Sequence, residues 1–365
     1  MRVLVVHPVM GLLGGGERLC CETIRSLLSH GHEITLLSEV FDPIKTENFF
    51  GYRGLFDRVV LSLYPPSDRA GRVGTVSHML HQVGAQNRTL QGLGNGHDFP
   101  FDLIFSTQEI GYIPDLALPV IQWGYFPASF PRLSRSRSAG ALARAIRWLP
   151  LRMYYKRKVS RIGLVLAISE YSKFHLDKEW NRPSVLVYPA CNMVDPGVKR
   201  ALVVTAARAV PIKRLELFWE IARTRPQYEF AMLLTQDPHM VEYSNQLSKR
   251  APSNGVTIFN PSKEAYHKLL GEAKVYLHLM QREHFGITVV EAMSASCVPV
   301  VHDSGGPREI VRQVGFRWQV AEDIPSMVDA AMKRSPSSEA RRRAQDFSVE
   351  KFDERLSSVF GHLRA

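Results

Sequence analysis

The feature that most constrains the fold is an order of segments that begins twice along the chain. Residues 2–8, RVLVVHP, are a continuous apolar run, followed by a glycine turn, a helical segment and a second apolar run at 33–39. After a polar linker at 191–201, the same order restarts with 201–208, ALVVTAAR. Buried strands of a parallel sheet have this unalternating apolar character, and helices separate them. We therefore predict an α/β protein of two doubly wound, Rossmann-like domains in series.

A chain of 365 residues is long enough for two domains of ordinary size. We predict a first domain at 1–190, a second at 198–345, and a C-terminal helix at 346–365 that packs back on the first domain. Ligands of such sheets bind at the carboxyl ends of the strands. We expect the two domains to face a deep cleft that holds the site.

The glycine loop at 11–19, GLLGGGERL, follows the first predicted strand and opens the first predicted helix. Glycines there let a ligand approach exposed N–H groups at a positive helix end. The loop fails the dinucleotide pattern, because Leu19 replaces its last glycine. It also fails the P-loop pattern, because Glu17 replaces its lysine. These failures argue against a P-loop ATPase and a dehydrogenase, and leave either a ligand loop or a simple tight turn.

Glu291 lies in the apolar run ITVVEAMSA, which covers every side of a predicted helix. A buried carboxylate without hydrogen-bond donors is costly, so something must supply them. The donors come either from a neighbouring loop or from the hydroxyl groups of a ligand. A second carboxylate, Glu283, lies eight residues earlier in a polar turn after a strand-like segment.

The net charge of +11 comes mostly from one segment, because ten Lys and Arg and no acidic residue lie between Asp115 and Glu170. Cations interleaved with apolar side chains suit an anionic membrane, a nucleic acid or a phosphate-bearing acceptor, and a solvated helix is the alternative. We predict membrane or acceptor docking through a set that comprises Arg144, Arg147, Trp148, Arg152, Lys156, Arg157 and Lys158. Leu149 and Tyr155 are expected to enter the interface, and Pro150 to divide the segment into two shorter elements.

Four cysteines without metal-ligand spacing suit a reducing compartment. The chain shows no signal-peptide pattern and no apolar run of spanning length, and the sequon at Asn87 is expected to be unused. We predict a cytoplasmic protein, either free or peripheral on the inner or cytosolic face of a membrane.

Four motifs in order form a resemblance to a known family: GGGER after the first strand, Arg208 with Lys213, EHFGITVVEAM, and SGGPREIV. This order resembles the retaining GT-B glycosyltransferases of the family 4 type, which carry two glutamates separated by seven residues. The stretch 200–312 is most similar to the dolichol-pathway α-1,2-mannosyltransferases. The resemblance implies transfer of a hexose to a hydroxyl acceptor that is lipid-linked or a glycan. The favoured sugar is mannose, and its donor is GDP-mannose. UDP-glucose or UDP-N-acetylglucosamine is the alternative donor. A nucleic-acid-binding protein is disfavoured, because the RNA-binding aromatic signature is missing.

The resemblance also implies roles for single residues. Glu291 would bind ribose hydroxyls and Glu283 the hydroxyls of the donor sugar. The catalytic set is Glu283, Arg208 and Lys213, and the two cations would neutralise the donor diphosphate. Backbone N–H groups would bind that diphosphate, and two glycines would allow close approach of the sugar; these residues are Phe285, Gly286, Ile287, Gly15 and Gly16. We expect no metal, no other cofactor and no enzyme nucleophile.

Two positions depart from the family pattern. Tyr125 stands where many relatives have a histidine near the donor sugar, so no imidazole can be assigned that role. Ser296 and Cys297 stand in a turn where relatives usually have glycine, which predicts a small change of turn geometry.

Overall fold

The structure is a computed structural model that describes residues 1–66, 76–93, 99–128, 139–237 and 239–364. The chain divides into two compact units. The first comprises Met1–Ile168, Ser172–Val187 and Leu356–Ala365, and the second comprises Ser169–Tyr171 and Tyr188–Arg355.

The first unit contains a seven-stranded parallel sheet of order β3-β2-β1-β4-β5-β6-β7. Its strands are β1 Arg2–Val6, β2 Glu33–Glu39, β3 Val60–Tyr64, β4 Leu103–Ser106, β5 Val120–Gly124, β6 Leu164–Ala167 and β7 Ser184–Leu186. The helices that begin in this part of the chain are α1 Gly15–Ser29, α2 Pro43–Phe50, α3 Val76–Gln91, α4 Ala139–Arg161 and α5 Glu170–Trp180. Strands β1, β4 and β5 are buried almost throughout, as their unalternating apolar sequences predict.

The second unit contains a six-stranded parallel sheet of order β10-β9-β8-β11-β12-β13. Its strands are β8 Arg200–Arg208, β9 Glu229–Thr235, β10 Gly255–Phe259, β11 Ala273–Leu277, β12 Val298–His302 and β13 Phe316–Trp318. The remaining helices are α6 Glu216–Arg223, α7 Val241–Lys249, α8 Lys263–Glu272, α9 Ile287–Ser294, α10 Gly305–Val311, α11 Ile324–Lys333, α12 Ser338–Ala344 and α13 Val349–Arg364. A large core cluster in this unit includes Phe218, Trp219, Phe230 and Trp318.

Both units are therefore doubly wound α/β folds, as predicted. The edges of the first sheet are β3 and β7, and those of the second are β10 and β13. The last residues of α13 belong to the first unit, where the ring of Phe360 stacks on Phe105 with centroids 6.0 Å apart.

Helix α4 corrects the prediction for the basic segment, because one continuous helix runs through Pro150. Pro150 is exposed. A carbonyl group that loses its helical partner on an exposed face can bond to water instead, so the proline does not divide the helix. Among the described residues, no helix combines the length and the apolar content that crossing a bilayer requires.

Candidate active site

The order of the second sheet reverses between β8 and β11, which are neighbours although two strands separate them in sequence. Side chains that follow the carboxyl ends of two such strands meet at one edge, where ligands of doubly wound sheets bind. Arg208 ends β8 and Lys213 follows in a short 3-10 turn, whereas the loop from His278 to Gly286 follows β11. The motif of Arg208 with Lys213 and the motif EHFGITVVEAM therefore meet at this switch point.

Lys213 and Glu283 form an ion pair there, in which the ammonium group contacts Oε2 of the carboxylate. The Nε2 atom of His278 lies 3.7 Å from the same oxygen, and the backbone N–H of His284 donates to Oε1 at 3.2 Å. Burial alone raises the pKa of Glu283, but the neighbouring His278 and the Lys213 ammonium outweigh it and hold the pKa well below its usual range. Glu283 is therefore an ionised hydrogen-bond acceptor at neutral pH.

Sequence reasoning missed His278, which is buried directly after β11. Its Nδ1 atom has no hydrogen-bond partner among the residues that the structure describes. The available signal was a histidine at the end of an otherwise apolar strand, in YLHLM, where a buried polar group needs a partner.

Glu291 lies on α9 and is only 4% exposed, as the apolar sequence around it predicts. The hydroxyl group of Tyr266, on α8, donates to its Oε2 at 2.7 Å. The protein therefore supplies one of the donors that the sequence left open. Tyr266 was missed because nothing in its local sequence indicates a contact with a residue 25 positions later.

The start of α9 is fixed by its flanking residues. Gly286 caps the helix at φ 112°, a conformation that favours glycine, and Phe285 before it is buried. The hydroxyl of Tyr276, on β11, bonds to Thr288 at 2.7 Å and to the carbonyl of Ala206 at 3.2 Å, so it ties α9 to both switch-point strands. The first N–H groups of a helix have no acceptors within it and can bind an anion.

The SGGP motif supports the Glu283 turn from the next strand end. The N–H of Gly306 donates to the carbonyl of Glu283 at 2.8 Å, and the N–H of Arg282 donates to the Ser304 hydroxyl at 2.9 Å. A methyl group on Gly306 would lie 2.4 Å from the Cα of Phe285, which no real contact allows. The motif therefore holds the turn through the backbone of Gly306 and the hydroxyl group of Ser304.

Two predicted features of this region have different outcomes. Arg208 is exposed and forms no ion pair within the described parts of the chain, so the structure does not join it to Glu283. Ser296 has φ 63°, so the turn keeps the left-handed conformation that favours the family's glycine. A cavity of about 950 Å³ is lined by Ser304, Gly305, Arg308 and Arg312, among others. We place the candidate site at the Lys213–Glu283 pair rather than in this cavity, because the pair lies at the switch point.

The glycine loop of the first unit follows β1 and leads into α1, which begins at Gly15. Oε2 of Glu17 accepts from the N–H of Gly14 at 2.6 Å, and Oε1 lies 3.4 Å from Nε2 of His7. Glu17 therefore points inward as a capping group rather than toward a ligand. Burial lowers the pKa of His7, but Cys20 and Glu17 outweigh it and raise the pKa to about 9.

His7 is a second histidine that sequence reasoning missed. Its Nδ1 lies 2.8 Å from the Thr107 hydroxyl, which itself donates to the carbonyl of Val6 at 3.1 Å. The hydroxyl therefore accepts from Nδ1–H, as an imidazolium requires. Tyr125 lies nearby and donates to the carbonyl of Thr107 at 2.9 Å. A methyl group on Gly16 would meet Tyr125 Oη at 3.6 Å, an ordinary contact, so packing within this unit does not require a glycine there.

The predicted docking set is only partly exposed. Arg147, Lys156 and Arg157 are exposed, Trp148 and Arg152 are half-buried, and the side chain of Arg144 lies outside the described part of the chain. Lys158 is 1% exposed; it donates to the Ile113 carbonyl at 2.6 Å and pairs with Asp115 at 2.9 Å. Its inclusion in the set was wrong, because two acceptors hold its charge inside the fold. Tyr155 is also buried, and its hydroxyl group donates to Glu109. The prediction that Tyr155 enters an interface was therefore wrong.

Comparisons with known proteins agree with this geometry. Residues 195–344 match the family described as "Glycosyl transferases group 1". The GDP-Man:Man(3)GlcNAc(2)-PP-Dol alpha-1,2-mannosyltransferase of Dictyostelium discoideum is 37% identical over 97 residues, which are 26% of this chain and 19% of that protein. The enzyme of the same name from Yarrowia lipolytica is 24% identical over 250 residues, 58% of this chain and 38% of that protein. The matches thus span less than half of these relatives.

Solved structures resemble the whole chain. Anabaena Alr3699/HepE in complex with UDP and glucose matches with a TM-score of 0.71 at 15% identity, covering 99% of both chains. Sucrose-phosphate synthase from Thermosynechococcus elongatus matches with a TM-score of 0.76 at 13% identity, covering 100% of this chain and 99% of the other. At such identities the likeness concerns the fold, and it confirms the predicted GT-B class of two Rossmann-like domains.

Proposed function

We propose that this protein is a glycosyltransferase that moves a hexose from a nucleotide-sugar donor to a hydroxyl acceptor, with retention of configuration. The observation that carries the proposal is the ion pair of Lys213 with the half-buried Glu283 at the switch point of the second sheet. This pair lies in the stretch that matches the glycosyl transferase group 1 family.

The donor would be bound by three neighbouring groups. Glu291 accepts hydrogen bonds from ribose hydroxyls beside the one from Tyr266, and Glu283 accepts them from hydroxyls of the sugar. The N–H groups at Phe285, Gly286 and Ile287 face the diphosphate at the positive end of α9. The two glutamates accept hydrogen bonds from ribose and sugar hydroxyl groups and do not distinguish one nucleotide base from another. This arrangement therefore fits several nucleotide sugars.

Lys213 and Arg208 would act on the charge of the reaction. Negative charge grows on the leaving diphosphate as the glycosidic bond breaks, and a fixed cation stabilises that charge more in the transition state than in the ground state. Arg208 is exposed at the end of β8, where its guanidinium can approach the phosphates. Because these side chains supply the positive charge, we propose that the reaction needs no metal and no other cofactor. Chelation with EDTA should therefore leave turnover unchanged.

The donor we propose is GDP-mannose, and the acceptor a lipid-linked or free glycan. Support comes from the names of the relatives, which are GDP-mannose-dependent α-1,2-mannosyltransferases at modest identity. A UDP-sugar is the second candidate, favoured by the fold's likeness to a protein solved with UDP and glucose.

The purified protein should first be tested for thermal stabilisation by GDP-, UDP- and ADP-sugars. A ligand at 100 times its Kd stabilises a protein by about 2.7 kcal/mol, which is readily measured. The stabilising donor is then incubated with glycan and lipid-linked acceptors, and NMR of the product's anomeric proton reports the configuration. Stabilisation by GDP-mannose and a retained α-linkage are expected. Absence of stabilisation by every nucleotide sugar, with salt-sensitive binding of nucleic acid instead, would overturn the proposal.

A further inference from the structure

Helix α4 presents a row of large apolar side chains to solvent. Ile146, Leu149 and Met153 are 60%, 49% and 64% exposed. Their spacing of three and then four residues places them on one face of the helix. Contiguous exposed apolar surface is uncommon on soluble proteins and marks an interaction site.

The opposite face of α4 is fixed to its own unit. Tyr154 donates to the carbonyl of Gly111 at 2.6 Å, the Tyr155 hydroxyl bonds to Glu109, and Lys158 pairs with Asp115. The helix therefore already has a face that packs on its own unit, and the outer row is a second face. It is held at the surface by a separate set of polar anchors.

Cations surround the apolar row. Arg147 lies beside its start, and Lys156 and Arg157 follow Met153 by about one turn; all three are exposed. Asp115, the acidic residue nearest in sequence before α4, already pairs with Lys158 and Arg161. Helix α4 itself contains no Asp or Glu, so no side chain of the helix neutralises its exposed cations.

We propose that this outer face, comprising Ile146, Leu149, Met153, Lys156 and Arg157 and flanked by the exposed Arg147, binds an anionic lipid bilayer. An interfacial helix needs an apolar face that enters the boundary of the acyl chains and cations that meet the lipid phosphates, and this face supplies both. A nucleic acid would bind the cations through its phosphates, but phosphate contacts alone give no role to the exposed aliphatic row. The inference goes beyond the transfer reaction, because it concerns where the protein is held and uses none of the residues of the candidate site.

The test is co-sedimentation of the full chain, without donor, with vesicles of phosphatidylcholine alone and with vesicles that also contain phosphatidylglycerol. Binding to the acidic vesicles should exceed binding to the neutral ones and fall as salt rises. A variant with Arg147, Lys156 and Arg157 changed to Gln should partition on the order of 100-fold more weakly, since each cation contributes about fivefold. A second variant, Leu149→Gln with Met153→Gln, keeps the charge and should also bind much more weakly.

Matched controls change the same residue types elsewhere. Ile44→Gln replaces an apolar side chain on α2 that is 71% exposed. Lys249, Lys333 and Arg342 changed to Gln remove three exposed cations of the second unit. Both controls should bind acidic vesicles nearly as the parent does.

Equal pelleting with neutral and acidic vesicles, no pelleting at low salt, or equal losses in the control variants would overturn the inference. Loss in the charge variant without loss in the apolar variant would overturn it too, and would favour a soluble polyanion such as a nucleic acid. Nucleotide affinity, measured on the same proteins in solution, is expected to be unchanged. A failure of the membrane inference is therefore distinguishable from a failure of the proposed reaction.

Discussion

In each sheet the strand order reverses beside the first strand of that sheet, β1 or β8. Each reversal carries a glutamate next to a cation, but the two glutamate–cation pairs differ in what they can do. In the first unit, Glu17 is enclosed with the fully buried His7 and caps Gly14. In the second, the side chains of Lys213 and Glu283 keep 22% and 16% of their surface accessible. An enclosed pair can only hold a loop, whereas a pair that solvent reaches can exchange one partner for a ligand. The same chemistry is thus structural at one switch point and available for binding at the other.

The largest expected effect breaks the accessible pair. Lys213→Ala should lower kcat on the order of 100- to 1000-fold, with a smaller rise in KM for the donor, because the lost charge matters most in the transition state. Steady-state kinetics measure both constants, and Lys249→Ala, which removes an exposed lysine on α7, is the control. A higher KM with unchanged kcat would reduce Lys213 to a ground-state phosphate contact.

The next effect compares the glycines of the two switch points. Gly306→Ala should destabilise the second unit by about 3 kcal/mol, because its methyl group would overlap the backbone of Phe285. Gly16→Ala has room for a methyl group and should leave thermal stability unchanged. If Gly16 serves close approach of the donor sugar, its alanine variant loses activity without losing stability. Equal thermal stability of both variants would contradict the packing described for the SGGP motif.

The smallest effect tests the enclosed pair by its pH dependence. The folded pKa of His7 is about 9, above its unfolded value, so its stabilisation is complete below about pH 6.5 and is lost as pH rises through 9. Between pH 7 and pH 9 the loss is on the order of 2 kcal/mol. His7→Gln lacks this contribution, so the gap in Tm between the parent and the variant should narrow over that range. A gap that stays constant would show that His7 is neutral in the folded protein.

Local sequence predicted those features that local sequence determines. Apolar runs indicated the central strands β1, β2 and β8, and the apolar surroundings of Glu291 indicated its burial. The partners of Glu17, Glu291 and Glu283 were missed, because His7, Tyr266 and His278 acquire their roles only when distant segments pack together. Lys158 has the same charge as its exposed neighbours in the sequence, and only the fold reveals that Asp115 holds it inside.

The central claim is that the second switch point binds a nucleotide and the first does not use its glutamate for this purpose. Isothermal titration of GDP and of UDP into the parent, Glu291→Gln and Glu17→Gln tests it most directly. Hydrogen bonds from hydroxyl groups to a buried carboxylate are worth roughly 1.5–3 kcal/mol, so Glu291→Gln should weaken the tighter nucleotide about tenfold or more. Glu17→Gln should bind that nucleotide as the parent does. Unchanged affinity in Glu291→Gln, or an equal loss in both variants, would contradict the account.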